Sequence, residues 1–272
     1  MDKLGLGSET LRGANERLIY LGVSGFGTTG PMSDYPAYDM VIQGLTGITA
    51  LQGSDNEMQH INMLICDKIT AYTVAQATTA ALLARASTGK GQHIDISMLQ
   101  ANLAFMWPDG MMDKTIEDRD GIMDMSPISD YYQTLDLSDG SIALAPLRDH
   151  HYKALLEMLG YPELLEDPRF SSMGGRLKHM DQVMEILKSP RKEYSVAEAM
   201  SLLTAADIPC APCIARDDLK SHPQIEAIEA LETYETPLHG ALTVPRPPAR
   251  FEGENAVSYT HLPSPRDVRS SR

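Results

Sequence analysis

The first hundred residues alternate between two hydrophobic periods, that of β-strands and that of α-helices. The longest pattern covers residues 68–86, where apolar positions recur at helical spacing among residues of high helix propensity. Shorter patterns predict strands over 18–24 and 92–97 and helices near 38–47 and 99–106. Alternation of this kind predicts an α/β domain.

A different layout follows residue 108. Residues 109–129 are acidic with interspersed Gly and Met, which predicts a linker. Beyond them, two extended patterns flank the loop 136–140, whose Ser138-Asp139-Gly140 is typical of a β-hairpin. The segment 208–251 returns to strand and loop character with many prolines. Helical patterns over about 149–159, 175–188 and 195–205 complete a predicted small α+β domain.

The composition narrows the class of protein without naming an activity. The chain has 272 residues, 43% of them hydrophobic, and can bury a sizeable core in one large or two modest domains. Its formal charge of −14 argues against a nucleic-acid partner, because phosphate binding depends on basic patches. It contains no run of about 18 apolar residues and no leader pattern, so we expect a cytoplasmic protein without a membrane partner.

Three cysteines include the pair Cys210 and Cys213 in a C-x-x-C motif. An odd number in a chain of this size forms no disulfide framework and fits a reducing compartment. One such pair offers two zinc ligands, whereas a structural zinc site needs four. Pro209 and Pro212 bracket the motif and argue against a helix N-terminus that would activate Cys210. We therefore expect no metal site and no redox role.

The sequence Gly25-Phe26-Gly27-Thr28-Thr29-Gly30 matches the dinucleotide fingerprint G-x-G-x-x-G and follows a predicted strand. A fingerprint continues into a helix, whereas Pro31 and residues 33–36 predict a turn-rich loop. We therefore expect neither a nicotinamide nor a flavin. Gly25 and Gly27 are interpreted as positions where the backbone passes close to a ligand or another chain.

Asp67 is the most informative single residue. It is a lone carboxylate after the apolar segment 61–66, at the start of the long helical pattern. We predict that it is the N-cap of that helix, where the backbone amides and the helix dipole favour an ionised carboxylate. The residues alone leave two interpretations open: a structural cap, or a nucleophile or base in a partly dry site.

A series of further motifs stands in order along the chain. They are Ser24-Gly25-Phe26-Gly27-x-x-Gly30-Pro31, Tyr38-Asp39-x-x-x-Gln43, Asp67, Thr88-Gly89-Lys90-Gly91-Gln92-His93-Ile94-Asp95, Asp139-Gly140, Ile208-Pro209-Cys210-Ala211-Pro212 and Pro247-x-x-Arg250-Phe251. Together they resemble the class III CoA-transferases, which include formyl-CoA and carnitine CoA-transferases and the related α-methylacyl-CoA racemases. The resemblance covers about residues 1–252.

The resemblance implies an enzyme that moves CoA between an acyl-CoA thioester and a carboxylic acid. In the transferases, the aspartate at the place of Asp67 attacks the thioester, and CoA thiolate converts the resulting mixed anhydride to an aspartyl-CoA thioester. A covalent intermediate divides one difficult transfer into easier steps. Tyr38, Gly25 and Gly27 are assigned to the substrate and CoA site, with coenzyme A thioester as the substrate and no metal.

Tyr38 separates two branches of the resemblance. The racemases carry His at this position, because proton removal next to a thioester needs a base whose pKa lies near the working pH. They also carry a glutamate in the segment that here reads 145–149, where none is present. A transferase is therefore favoured, and the racemase remains the alternative. Tyr38 itself either lines the active site or is a core aromatic residue.

The resemblance also implies an architecture: a partial Rossmann-like large domain and a small α+β domain, in an interlocked homodimer. We predict that 1–108 belong to the large domain and 130–207 to the small domain, joined by the linker 109–129, with 208–252 returning to the large domain. Family members usually begin with further βαβ units, so N-terminal truncation is expected, and a non-catalytic fragment is a second alternative. Residues 253–272 resemble translated adapter DNA and are excluded from the fold.

Overall fold

The computed structural model describes residues 1–54, 56–112, 114–118, 120, 133–187, 191, 193–237, 239–250 and 252. The contacts divide the chain into two compact units, Met1–Ala211 and Pro212–Arg272. Helices and strands both contribute to the structure, so the predicted mixed α/β composition is confirmed.

The first part of the Met1–Ala211 unit alternates helices and strands as predicted. Its elements are α1 (Ser8–Ala14), β1 (Tyr20–Ser24), α2 (Asp39–Leu45), α3 (Ile48–Gln52), α4 (Ile65–Thr88), β2 (His93–Ser97) and α5 (Met98–Gly110). α5 extends to Gly110, so the first two residues of the predicted linker are helical. The remainder of that linker includes residues 113, 119 and 121–129, which lie outside the described residues.

The strands β1 and β2 pair in parallel, with Tyr20 opposite His93 and Ser24 opposite Ser97. β2 leads directly into α5, and the Ser97 hydroxyl caps that helix by accepting the N–H of Gln100 at 3.0 Å. The backbone N–H of Leu99 donates to the carbonyl of Gly25 at 3.0 Å. The carboxyl ends of both strands therefore meet where the glycine loop begins, and open α/β sheets bind ligands at this edge.

Helix α4 has 24 residues and is followed by its C-cap Gly89, whose φ of 73° is favourable for glycine. Its inner side buries a small number of apolar residues, whereas Tyr72 and Leu83 on its outer side are each 75% exposed. These two residues and Phe105 of α5 line an open, largely apolar groove. The region thus leaves a broad apolar surface in solvent. Its internal apolar cluster consists of Phe26, Ile42, Ile48, Cys66 and Met106.

The second part of this unit is an α+β arrangement. Its elements are β3 (Gln133–Asp136), β4 (Ser141–Leu144), α6 (Asp149–Met158), α7 (Met173–Lys178), α8 (Met180–Leu187), α9 (Val196–Ala205) and β5 (Cys210–Pro212), whose last residue opens the second unit. β3 and β4 are antiparallel, which confirms the predicted hairpin, and the sheet order is β3–β4–β5. The single helix predicted over 175–188 is wrong, because α7 and α8 are separated at His179.

A large apolar core fills this second part. The hairpin region contributes Leu135, Leu137, Ile142 and Leu144, and helices contribute most of the remainder. Because the core draws on several elements, it provides most of the burial that stabilises a domain of this size. Its buried residues are Leu135, Leu137, Ile142, Leu144, Tyr152, Leu155, Leu156, Leu159, Phe170, Met180, Val183, Met184, Leu187, Ala199, Leu203 and Ile208.

The Pro212–Arg272 unit contains α10 (Pro223–Ala227) and an antiparallel pair, β6 (Leu231–Thr236) and β7 (Gly240–Pro245). The guanidinium of Arg246 pairs with Glu229 at 2.9 Å. The strand character of this segment was predicted from the sequence, but its helix was not. Residues 253–272 lie outside the described residues. No described helix combines the length and sustained hydrophobicity that a transmembrane span requires.

Candidate active site

Asp67 lies in the first turn of α4. The helix begins at Ile65 with Leu64 as its N-cap, so Asp67 is the third helical residue and the predicted N-cap position is wrong. Its side chain is exposed rather than held in a partly dry pocket. The carboxylate makes no hydrogen bond or ion pair with any residue that the structure describes. It is therefore available to a ligand that reaches this turn.

The cap of α4 comes from Asp39, which lies 28 residues earlier in the chain. Asp39 is the first residue of α2 and is only 3% exposed. Its Oδ2 accepts the backbone N–H of Asp67 at 3.0 Å, and its Oδ1 accepts the side-chain amide of Gln43 at 2.7 Å. A buried carboxylate is tolerated when its oxygens are hydrogen-bonded, and here both oxygens have donors.

Gln43 holds the segment that leads into α4. Its Nε2 carries two N–H groups for three acceptors, so besides Asp39 it shares donation between the carbonyls of Ile61 and Met63, both at 3.2 Å. Its Oε1 accepts the N–H of Ile61 at 2.9 Å. The Gln43 side chain is 2% exposed. One primary amide therefore satisfies several backbone groups of a segment without regular secondary structure, which would otherwise be left unpaired.

Asn102 of α5 holds the same turn from the opposite helix. It is fully buried, and its Nδ2 donates to the carbonyl of Met98 at 2.8 Å and to that of Cys66 at 3.3 Å. The Thr70 hydroxyl also donates to the Cys66 carbonyl, at 2.7 Å. Polar bonds from α2 and α5 thus fix the backbone of Asp67 and of the residues before it.

Cys66 lies beside the candidate nucleophile but is not a nucleophile itself. Burial raises the pKa of its thiol to about 12, and the negative charges of Asp39 and Asp67 contribute in the same direction. Because the thiolate is the reactive form of cysteine, the Cys66 thiol is inert near neutral pH. Its side chain belongs to the apolar cluster that also holds Phe26 and Ile42.

The glycine loop packs against the start of α2. A Cβ atom at Gly25 would overlap the side chain of Ala37, which immediately precedes Tyr38, so this close approach requires glycine. Gly27 has φ of 105°, a conformation that other residues rarely adopt. Phe26 between them joins the cluster of Cys66. The structure therefore brings the segments of Gly25, Gly27 and Asp67 together through their neighbours.

Tyr38 is the residue before α2 and is 74% exposed. The alternative that it is a core aromatic residue is therefore wrong. The sequence analysis assigned no role to Asp39, Gln43 or Asn102. The available signal was the spacing of Asp39 and Gln43, which places them one above the other on a helix.

The described residues include one cluster that could bind a metal ion, and it is distant in sequence from the glycine loop and from Asp67. His150, His151 and Asp207 have ligand atoms within 4.8 Å of one another. The Nδ1 atom of the buried His151 accepts the N–H of Arg148 at 3.3 Å, which places the proton of the neutral ring on Nε2. Since a ligating Nε2 must be unprotonated, this hydrogen bond opposes metal binding. Burial lowers the pKa of His151, and the nearby His150 and Arg148 lower it further.

The pair Cys210 and Cys213 is present as free thiols, the first half-buried and the second exposed. Cys210 lies within β5, as the predicted extended segment requires, and not at a helix start.

The parallel strand pair, the glycine loop at its carboxyl edge and the exposed aspartate on a helix start define an α/β protein with a candidate site for covalent catalysis. The sequence model of CoA-transferase family III matches residues 1–266. The chain therefore belongs to CoA-transferase family III, and the predicted resemblance is confirmed. The match extends into the segment 253–272 that was set aside in the sequence analysis.

Two relatives illustrate the similarity. The chain is 30% identical over 256 residues to the acetyl-CoA:oxalate CoA-transferase of Acetobacter aceti, covering 93% of this chain and 64% of the relative. It is 28% identical over 228 residues to the succinate–glutarate CoA-transferase of Agrobacterium fabrum, covering 83% of this chain and 57% of that relative. The chain therefore spans less than two thirds of the length of either protein.

Solved structures share the fold. A CAIB/BAIF family protein from Brucella suis is 30% identical and superposes with a TM-score of 0.70, covering 93% of this chain and 66% of its own. Rv3272 from Mycobacterium tuberculosis superposes with a TM-score of 0.78 at 24% identity, covering 95% and 69%. At that identity the second likeness concerns the fold alone.

Proposed function

We propose that the protein containing this chain transfers CoA between an acyl-CoA thioester and a carboxylic acid, with Asp67 as the nucleophile. The observation that carries the proposal is the state of Asp67: its backbone is held by Asp39, while its carboxylate is exposed and without a partner among the described residues. Family membership supplies the reaction class. The named relatives are CoA-transferases, so the racemase alternative is not favoured.

The reaction divides into balanced steps. A carboxylate oxygen of Asp67 attacks the thioester carbonyl, the C–S bond breaks, and CoA leaves as thiolate from a mixed anhydride. The thiolate then attacks the Asp67 carbonyl, which releases the first acid as its carboxylate and leaves an aspartyl-CoA thioester. The acceptor carboxylate attacks this thioester, the C–S bond breaks, and CoA leaves as thiolate from a second mixed anhydride. The thiolate then attacks the carbonyl of the acceptor acid, which forms the new acyl-CoA and releases Asp67 as its carboxylate.

Tyr38, Gly25 and Gly27 are proposed to line the substrate and CoA site. The glycines support this because they allow the loop to pass close to α2 at the carboxyl edge of the strands. Tyr38 supports it through the exposure of its ring and hydroxyl immediately before Asp39. The names of the two relatives specify different small acids, oxalate and glutarate. We therefore propose a small carboxylic acid as the acceptor, without choosing between these two.

The test is Asp67→Asn in the full-length protein, assayed with acetyl-CoA and succinyl-CoA as donors and oxalate and glutarate as acceptors. We expect turnover to fall by at least about 1,000-fold, or about 4 kcal/mol in the barrier, because an amide is a poor nucleophile. The melting temperature should stay close to that of wild type, since the side chain makes no hydrogen bond or ion pair with the described residues. Asp181→Asn is the matched control, because Asp181 is also an exposed acid in a first helical turn. Full activity of Asp67→Asn would reject the mechanism.

We further propose a homodimer for the complete protein, from the family resemblance, and a cytoplasmic location, from the odd number of cysteines. The exposed apolar face of α4 and α5 supports the need for a covering surface. Light scattering of the full-length protein at micromolar concentration tests the dimer. A stable monomer would reject it.

A further inference from the structure

The N-terminus of α4 is capped by a side chain from another helix. The N–H of the third helical residue is ordinarily accepted by the N-cap side chain, and an acid at that third position can bond back to the N–H of the N-cap residue. Here the N-cap is Leu64, which has no polar side chain, and the third residue is Asp67, whose carboxylate makes no bond with the described residues. The N–H of Asp67 is instead accepted by Asp39 from a different helix.

This exchange of roles has a chemical consequence. The oxygen atoms of a carboxylate that caps a helix accept hydrogen bonds from backbone N–H groups, and these bonds hold the side chain at the helix end. Asp39 accepts the Asp67 N–H in place of an N-cap side chain, so the backbone of Asp67 is fixed while its own carboxylate makes no bond with the described residues. A nucleophile needs both properties, because attack requires a free oxygen at a defined position.

Gln43 extends this control to the chain before α4. The amide is four residues after Asp39 on α2 and donates to Asp39 Oδ1, which orients the carboxylate toward the Asp67 N–H. The same amide group binds both backbone groups of Ile61 and the carbonyl of Met63. α2 therefore fixes the first turn of α4 and the approach to it with two buried side chains.

We infer that Asp39 and Gln43 are a positioning pair that caps α4 in place of an N-cap side chain at Leu64 and so sets the orientation of the Asp67 carboxylate for attack. The inference rests on the proposed function of Asp67. Asp39 acts through the backbone of Asp67 and is not itself a catalytic residue. A misplacement of about 1 Å can reduce a rate by about 100-fold, so loss of the cap should be visible in the acylation step.

The test compares Asp39→Asn with Thr46→Val in the full-length protein. Asparagine retains the shape of Asp39 but cannot accept from both Asp67 and Gln43. Thr46 is a buried residue that directly follows α2, and its hydroxyl bonds only within its own turn, so its loss reports stability without touching α4. For Asp39→Asn we expect the single-turnover rate of Asp67 acylation to fall about 10- to 100-fold, with KM for the acyl-CoA donor within about threefold.

In Thr46→Val, the single-turnover rate of Asp67 acylation should stay within about threefold of the wild-type rate when it is measured well below the melting temperature of the variant. An acylation rate in Asp39→Asn equal to that of wild type would overturn the inference. An equal decrease of the acylation rate in Thr46→Val would also overturn it. Absence of acyl groups on wild-type Asp67 would instead overturn the proposed function, which separates the two failures.

A measurement on the unmodified protein keeps the inference testable if Asp39→Asn does not fold. The Asp67 amide should exchange with deuterium at least about tenfold more slowly than an uncapped first-turn amide, because its N–H is bonded to a buried carboxylate. Gln43→Met, which preserves side-chain volume but removes the amide, should slow acylation by about 3- to 10-fold. Unprotected exchange at Asp67, or a wild-type rate in Gln43→Met, would contradict the positioning role.

Discussion

Residues 1–110 and 133–208 are held together by different means. The 133–208 region surrounds a continuous apolar core in which Leu155 has no exposed surface. The 1–110 region has a smaller apolar cluster, and polar side chains from α2 and α5 form hydrogen bonds with the backbone of the first turn of α4. It also leaves Leu83 and other apolar residues in solvent. The region that carries the candidate nucleophile therefore depends on directed hydrogen bonds, and the other region on apolar burial.

The contrast fits the demands on each region. Apolar packing is non-directional and stabilises a fold over a broad surface, whereas hydrogen bonds fix individual groups at defined distances. A reacting carboxylate needs the second kind of control. Because an unpaired buried polar group is costly, the same network makes the turn at Asp67 sensitive to single substitutions.

The largest expected effect comes from truncating the apolar core. Leu155→Ala should lower the unfolding free energy by about 2–5 kcal/mol, because it leaves a cavity among fully buried neighbours. Leu83→Ala, on the exposed face of α4, should change it by no more than about 0.5 kcal/mol. Chemical denaturation of both variants measures the difference. Equal losses would break the distinction between the two regions.

The next effect concerns the polar network. Asn102→Ala should lower the unfolding free energy by about 1–3 kcal/mol, because the buried carbonyls of Cys66 and Met98 lose a donor. Asn62→Ala is the control, since Asn62 is exposed in the segment before α4. Denaturation curves should separate the variants. An Asn102→Ala protein as stable as wild type would show that the network adds little.

The burial of Cys66 in the 1–110 region should make the unfolding free energy depend on pH. Its thiol has a pKa of about 12 when folded, against about 8.5 in an unfolded chain. The folded state therefore retains the proton more strongly. The contribution to stability is fully present below about pH 8.5 and is lost, at up to about 1.4 kcal/mol per pH unit, as the pH rises toward 12.

The difference in unfolding free energy between wild type and Cys66→Ala, measured from pH 7 to 10, isolates this contribution from other groups. We expect wild type to lose stability faster than Cys66→Ala above about pH 8.5. Parallel pH curves would contradict the burial of the thiol. Iodoacetamide at pH 8 should likewise modify the exposed Cys213 and spare Cys66.

The smallest effect is expected at a helix cap in the 133–208 region. The Ser195 hydroxyl and the Glu198 carboxylate cap α9 reciprocally, and these bonds lower the pKa of Glu198. Ser195→Ala should cost about 1 kcal/mol of unfolding free energy, less than the core substitution at Leu155. Denaturation of Ser195→Ala beside Ser201→Ala, an exposed position within α9, checks the value. A loss equal to that of Leu155→Ala would contradict the dominance of the core.

The sequence allowed prediction of elements whose signals are local. The helical period of α4, the alternation of Ile94 and Ile96 in β2 and the Asp139-Gly140 turn each lie within one short window, and the structure has an element at each. The break at His179 between α7 and α8 was not predicted, since the hydrophobic period continues across it.

The candidate site was harder to predict because its bonds are not local. The start of α4 was misplaced since its cap, Asp39, lies 28 residues away, and no pattern near Asp67 reveals that bond. The role of Asn102 depends on the packing of α5 against α4, which hydrophobic periodicity does not specify. Asp67 was singled out from its sequence context, whereas the residues that hold it required the structure.

Covalent trapping tests the central proposal most directly. Incubation of the full-length protein with an acyl-CoA donor, followed by hydroxylamine and trypsin, should modify the peptide 18–68, which has no internal Lys or Arg. That peptide contains the acids Asp34, Asp39, Asp55, Glu57 and Asp67, so fragment ions must locate the modification. The account predicts hydroxamate at Asp67 and at no other acid. Modification at Asp39, or none in a protein that turns over, would contradict it.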